Sequence, residues 1–250
     1  MARTFLGREP LLTVMLACET PEATLERIEK ANAAGAEAYG WQIESLLPAY
    51  HEAAVYRRVF EAMGERPCYV TYYRSRGNEG KTDEALAEGL LTLAASGATL
   101  VDVMGDLFCR HPEELTEDAA AIAKQEALIA RLHELGAEVL MSSHLYKYAP
   151  ADRVMAIAAE QKRRGADVIK LVTAADDMAQ QIENLRITDL LKRELGAPFL
   201  FLSGGECSLH RRLGMKLGCC MALCVYEHDA LSTPVQPLLS TMQAIRDLDF

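Results

Sequence analysis

No G-x-G-x-x-G turn, no C-x-x-C pair and no apolar run of bilayer-crossing length occurs in the 250 residues. The first absence removes the dinucleotide fingerprint of an open doubly wound sheet. The second leaves no zinc-finger or thioredoxin-like spacing, and the third argues against a transmembrane helix. The apolar stretch before Cys18-Glu-Thr-Pro is too short for a signal peptide with a cleavage site, so the expectation is a soluble cytoplasmic protein without a membrane partner. Positive charge is also scarce: 26 Lys and Arg against 36 Asp and Glu give a net charge of -10, which disfavours general nucleic-acid binding. An anionic ligand must therefore meet locally placed cations. Low-complexity tracts and like-charge blocks are missing too, and a chain folded throughout is expected. The seven cysteines (18, 68, 109, 207, 219, 220 and 224) are odd in number, which fits a reduced compartment better than a disulfide framework. Cys219, Cys220 and Cys224 lie in the apolar run CCMALCV, where cysteine acts as a small hydrophobe; no metal is expected there.

What is present is a regular alternation. Eight short apolar runs read as strands: 11–17, 38–45, 68–73, 99–105, 138–144, 167–173, 198–204 and 221–227. Between them lie segments with helical spacing, such as 21–34, 82–95, 117–135, 149–164 and 176–195. Thr20-Pro21 supplies an N-cap followed by proline, and Gly35, Gly97, Gly136, Gly165 and Gly196 each stop a helix just before a strand. Eight strand–helix units in this length predict an α/β protein, a (β/α)8 TIM barrel forming one domain over residues 1–250, with Thr4–Pro10 capping its closed end. Its active site is then expected where the strands end.

The most unusual residue of that pattern is Lys170, inside the strand Asp167-Val-Ile-Lys-Leu-Val-Thr173. An ammonium group there is costly unless it is paired or loses its proton, and a lysine that loses its proton is a nucleophile. On the preceding strand His144 ends Met141-Ser-Ser-His144, so a histidine and a lysine converge on adjacent strands. Together they suggest amine catalysis, with the lysine forming a Schiff base and the histidine moving protons. The alternatives are a hydrogen-bonded structural histidine and a lysine snorkelling to the rim. In the basic helix 210–218, Arg212 offers a planar fork to a carboxylate, unless that face is simply solvated. Ser232-Thr-Pro-Val-Gln236 is either a functional polar loop or an ordinary helix cap.

These motifs, taken in order, resemble the type I 3-dehydroquinate dehydratase family. MSSH at 141–144 is similar to its M-S-x-H, GADVIK at 165–170 to its A-D-x-x-K, RLGMKLG at 212–218 to its R-L-x-G-x-x-x-G, and residues 232–236 to its S-A-P-G-Q loop. The resemblance implies that Lys170 forms the imine, that His144 is the general acid/base, and that Arg212 binds the substrate carboxylate. It also implies that Ser232 and Gln236 lie in a closing loop, that Arg74 binds substrate, and that Glu79 orients the histidine. A small anionic keto acid as substrate, no cofactor, and a cytoplasmic homodimer follow from the same resemblance, as does a place in the shikimate or quinate pathways.

One departure stands out. Where the family's second strand carries E-x-R-x-D, this chain has Gly40-Trp-Gln-Ile-Glu44, so that Gly40 and Gln42 replace a charged pair in the expected pocket. Three readings follow: a dehydratase acting on 3-dehydroquinate or a related cyclic hydroxy-keto acid, a class I aldolase or lyase using the same imine, and a barrel that binds ligand without turnover.

Overall fold

The structure, a computed structural model, describes residues 3–7, 9–206 and 209–248, so Cys207 lies outside the described residues. Its strands are β1 (Leu11–Leu16), β2 (Ala38–Gln42), β3 (Cys68–Thr71), β4 (Leu100–Met104), β5 (Glu138–His144), β6 (Val168–Ala175), β7 (Phe199–Gly205) and β8 (Met221–Cys224). Between and after them lie α1 (Pro21–Ala33), α2 (Ala53–Ala62), α3 (Asp83–Ser96), α4 (Ala119–Glu134), α5 (Ala151–Arg163), α6 (Met178–Glu194), α7 (Leu209–Leu217) and α8 (Leu239–Arg246). All pairings between these strands are parallel, and β1 pairs with both β2 and β8. The order β7-β6-β5-β4-β3-β2-β1-β8 closes all but one seam of a (β/α)8 barrel. At that seam the Cys220 amide donates to the Phe199 carbonyl at 2.8 Å.

Each strand is covered by side chains on one face and helices on the other, which is why the apolar runs are continuous rather than alternating. β6 is buried along its whole length, Lys170 included. The helices begin where side-chain oxygens satisfy free amides: Thr20, Thr82, Asp118 and Asp177 accept from Ala23, Ala85, Ala121 and Gln180. Each such cap is worth about 1 kcal/mol. The five glycines expected to stop helices all have positive φ. At the closed end, Thr4 and the Phe5 amide bond the Glu138 carboxylate at the start of β5, and Phe5 is buried beneath the barrel. The expected N-terminal cap is therefore in place.

Two strands, β2 and β8, stop well short of their expected C-terminal ends. β2 stops at Gln42 and Ile43–Ser45 forms a 3-10 turn, because the Glu44 carboxylate swings inward to accept from the Thr71 hydroxyl at 2.9 Å. β8 stops at Cys224 and releases the chain into the polar loop before α8. Cys219 and Cys224 are buried thiols donating to the Phe201 and Thr13 carbonyls, and burial pushes both up to about 12. No helix among the described residues is long and apolar enough to cross a membrane.

α7 is anchored through His210, which is fully buried, packs edge-on against Phe201 and shares a 2.8 Å hydrogen bond with Thr188 of α6. Burial, with the Arg211 charge adding to it, lowers this imidazole from 6.5 to about 4. A depressed histidine favours folding above the unfolded value and loses that contribution as pH falls through the folded one. Stability should therefore decline between pH 6.5 and 4 by up to about 1.4 kcal/mol per unit from this group. Thermal denaturation followed across that window should show a shallower slope for His210→Gln.

Candidate active site

Lys170 sits at the bottom of a cavity at the C-terminal ends of the strands, where its Nζ is surrounded by polar groups. It donates to the Tyr73 hydroxyl at 2.6 Å and the Tyr69 hydroxyl at 2.7 Å, and it lies 3.1 Å from Asp102 Oδ2. Both tyrosine hydroxyls in turn donate to that same oxygen at 2.5 Å, and Ser142 holds the other carboxylate oxygen at 2.6 Å. The buried ammonium is thus paired, with the Asp102 side chain fully buried opposite it. Burial first, and the Asp102 charge second, hold both phenols well above the usual tyrosine range.

His144 lines the same cavity. β5 and β6 pair Ser142 with Lys170 and His144 with Val172, so His144 stands two residues further toward the barrel mouth, roughly 6–7 Å along the strand. Its Nδ1 bonds Glu114 Oε2 at 2.6 Å, and its amide bonds the same oxygen at 3.0 Å. A carboxylate accepting at Nδ1 assigns the proton to that nitrogen and leaves Nε2 as the acceptor. Glu79, assigned this orienting role from sequence, is exposed and ends the 3-10 turn after β3. The histidine is held instead by Glu114, from the long loop between β4 and α4. The ring of Tyr146 stacks on His144 at 5.7 Å and Tyr73 meets it edge-on at 5.3 Å.

Of the expected cations, Arg74 is committed to acids. It grips Asp83 through Nε and Nη2 and Asp106 through Nη1, at 2.7–2.8 Å, and faces a neighbouring cavity on the far side of His144. Arg76, two residues on, lines the Lys170 cavity instead. It ties three loops together across the mouth, donating to Ser45 Oγ at 2.7 Å and to the Leu231 carbonyl at 3.2 Å. On α7 the cavity is lined by Arg211 rather than Arg212. Neighbouring residues on a helix point about 100° apart, so a one-residue offset decides which guanidinium faces the barrel. Arg211 is anchored by one bond from Nε to the Ser203 carbonyl at 3.0 Å, and burial lowers it to about 10.

The remaining predicted residues divide similarly. Gln42 lines the cavity, and the space expected for a side chain at position 40 is taken by Met15: a Cβ on Gly40 would lie 2.2 Å from Met15 Sδ. An apolar thioether therefore fills the slot beside Gln42. Glu44 also lines the cavity; burial raises its carboxyl above the usual range, against the lowering effect of its hydrogen bonds from Thr71 and the Tyr73 amide. Ser232 is used within its own turn with Asp229, whereas Thr233 and Gln236 reach the cavity. Gln236 is buried, and its Oε1 has no hydrogen-bond partner among the described residues. A buried acceptor left open at a cavity wall is a site for a ligand donor.

Asp102, Tyr69, Tyr73, Glu114, Arg76 and Arg211 were not singled out from sequence. Three residues around His144 and the mouth, Arg76, Glu114 and Tyr146, adopt positive φ without being glycine, a backbone cost of order 1–3 kcal/mol each that clusters here. The cavity volume of about 230 Å³ falls below the roughly 300–1,000 Å³ of drug-sized sites. Among the described residues no cluster of side chains suits a metal ion.

Comparison with known proteins bears on the barrel as a whole. Among solved structures, 3-dehydroquinate dehydratase from Geobacillus kaustophilus is similar with a TM-score of 0.78 at 19% identity, covering 96% of this chain and 90% of that one. The Enterococcus faecalis 3-dehydroquinate dehydratase gives 0.77 at 16% identity over 98% of both chains. The Clostridium difficile type I enzyme, solved with covalently modified comenic acid, gives 0.78 at 13% identity, covering 95% and 91%. Identities this low establish a shared fold. No curated protein sequence matches the chain. The profile of type I 3-dehydroquinase, however, matches residues 12–250, nearly the whole barrel, and on that match the chain belongs to the type I 3-dehydroquinase family.

Proposed function

We propose that this protein is a Schiff-base dehydratase acting on 3-dehydroquinate or a closely related cyclic hydroxy-keto acid. The observation that carries this reading is the presence of Lys170 Nζ and His144 in one small cavity that is also lined by the guanidinium of Arg211. Lys170 attacks the ketone, and loss of water leaves a protonated imine. The iminium acidifies the adjacent C–H bond, and His144, with Nε2 free to accept, removes that proton. The electron pair left on carbon moves to expel the β-hydroxyl, which takes the proton from His144 and departs as water. Hydrolysis of the conjugated imine then releases an enone and restores the lysine. Arg211 offers its fork to the substrate carboxylate, while Gln236 and Glu44 face the substrate hydroxyls. A homodimer in the cytoplasm, serving the shikimate or quinate pathway, completes this reading.

The Met15 side chain packed over Gly40 favours a second reading, in which the same lysine cleaves a carbon–carbon bond. An apolar wall cannot satisfy a substrate hydroxyl, and an unmatched polar group costs on the order of 1–3 kcal/mol, enough to change substrate choice. Product analysis separates the two, since dehydration yields one conjugated enone and cleavage yields two carbonyl fragments.

Incubation with 3-dehydroquinate should produce the ultraviolet absorbance of the enone, and borohydride should trap an adduct on Lys170 by peptide mass analysis. Lys170→Ala should show neither; an adduct on another lysine, or none, would refute the assignment. Arg211→Ala should raise KM by about ten- to a hundredfold, the equivalent of one charged hydrogen-bonded contact. Arg212→Ala should raise KM by less than Arg211→Ala does, because Arg211 and not Arg212 lines the cavity.

A further inference from the structure

The wall of the Lys170 cavity is two-sided. β2, β3 and β5 bring polar side chains to it, Gln42, Thr71 and His144 among them. The arc from β6 round to β1 is apolar above Lys170: β6 contributes Val172, β7 Leu202, β8 Leu223 and β1 Met15. Val172 and Leu202 are direct partners across β6 and β7, and β1 joins β8 to β2, so these four side chains follow one another round the barrel.

Met15 closes the apolar arc where it meets the polar one. Strand pairing sets Met15 directly beside Gly40, and Gly40 in turn beside Tyr69 of β3. With no side chain at position 40, the buried methionine lies across that row. A Cβ on Gly40 would stand 2.2 Å from Met15 Sδ, 2.9 Å from its Cε and 3.3 Å from Tyr69 Cδ1. The place where β2 would otherwise carry a side chain into the cavity is thus taken by a thioether, and Gln42, two residues on, is the polar group of that strand that lines it.

We infer that Met15 is a specificity-determining residue, and that the substrate is a cyclic keto acid with a bare hydrocarbon edge, less hydroxylated than 3-dehydroquinate. This rests on the reading of Lys170 as the imine-forming residue. A ring hydroxyl turned toward Met15, Leu202 and Leu223 gives up its water and meets neither a donor nor an acceptor, whereas a methylene there makes favourable apolar contact. Groups suited to a carboxylate and a hydroxyl lie elsewhere on the wall: Arg211 on α7, Gln236 with its open Oε1, and Gln42 on β2. That set suffices for an acid carrying the one β-hydroxyl that dehydration expels.

The test compares two ketones by borohydride trapping on Lys170, read by peptide mass. One is 3-dehydroquinate, with hydrated and dehydrated adducts counted together. The other is 3-oxocyclohexane-1-carboxylate, which keeps the ring, the ketone and the carboxylate and carries no hydroxyl. The wild-type protein should half-saturate with the bare keto acid at a concentration about tenfold lower, the scale of one unmatched polar group. Met15→Gln, which matches methionine in length and supplies a donor and an acceptor, should narrow that ratio by about tenfold. Half-saturation of the wild type with 3-dehydroquinate at an equal or lower concentration would overturn the inference and leave the imine reading intact, and this comparison stands even if Met15→Gln does not fold. A folded Met15→Gln with the wild-type ratio would overturn it as well. No adduct on Lys170 from either ketone would overturn the imine reading itself, and the inference with it.

Discussion

A lysine ammonium buried at the bottom of the barrel's cavity sets the terms for everything around it. Stripping such an ion of water costs several kcal/mol, and removing one partner of a buried pair typically costs about 3–5 kcal/mol. The protein meets this by surrounding Lys170 Nζ with Asp102 of β4, Tyr69 of β3 and Tyr73 just beyond the end of β3. A hydrophobic replacement for such a pair is often neutral or stabilising, so stability alone gives little reason to keep it. The proposed imine chemistry gives one, because the same carboxylate that neutralises an ammonium would also neutralise an iminium.

Around that pair the charges are arranged in tiers. Lys170 and Asp102 cancel at the bottom; the Glu114 carboxylate holds the His144 imidazole nearer the mouth; Arg76 and Arg211 bring positive charge to the walls. A chain with a net charge of -10 therefore still presents Arg76 and Arg211 on the walls of the cavity that holds Lys170. Arg76 and Glu114 come from separate loops, and the left-handed backbone at Arg76, Glu114 and Tyr146 marks where the chain bends beside the strand ends. Lys81 braces the first of them, donating to Tyr72, Asn78 and His51 and so clamping the segment after β3 against the turn after β2.

The differences between the expected and the observed placement of site residues share one physical origin. Glu79 lies in a motif-like position after β3, yet His144 is oriented by Glu114 from a different loop; nothing local at 114 marks it as a partner for residue 144. Arg212 and Arg211 are adjacent in sequence, and only the docking of α7, fixed partly by His210 against Thr188 and Phe201, decides which one turns inward. Arg74 was expected to bind substrate, but two aspartates from α3 and the β4–α4 segment claim it first. Ser232 is consumed by its own turn while Gln236, from the same motif, stays open to the cavity.

By itself, the sequence determined the repeat of strand, helix and glycine, hence the barrel, and it marked Lys170 and His144 as polar intruders at neighbouring strand ends. These are short-range properties, set by periodicity, caps and the cost of a charge in an apolar run. Tertiary structure decided the rest: that Lys170 is paired rather than bare, that Met15 fills the slot over Gly40, and that Glu114 and Arg211 serve the cavity. Each of those outcomes depends on side chains far apart in sequence meeting inside a closed cylinder, a distance relation that no local pattern of residues encodes.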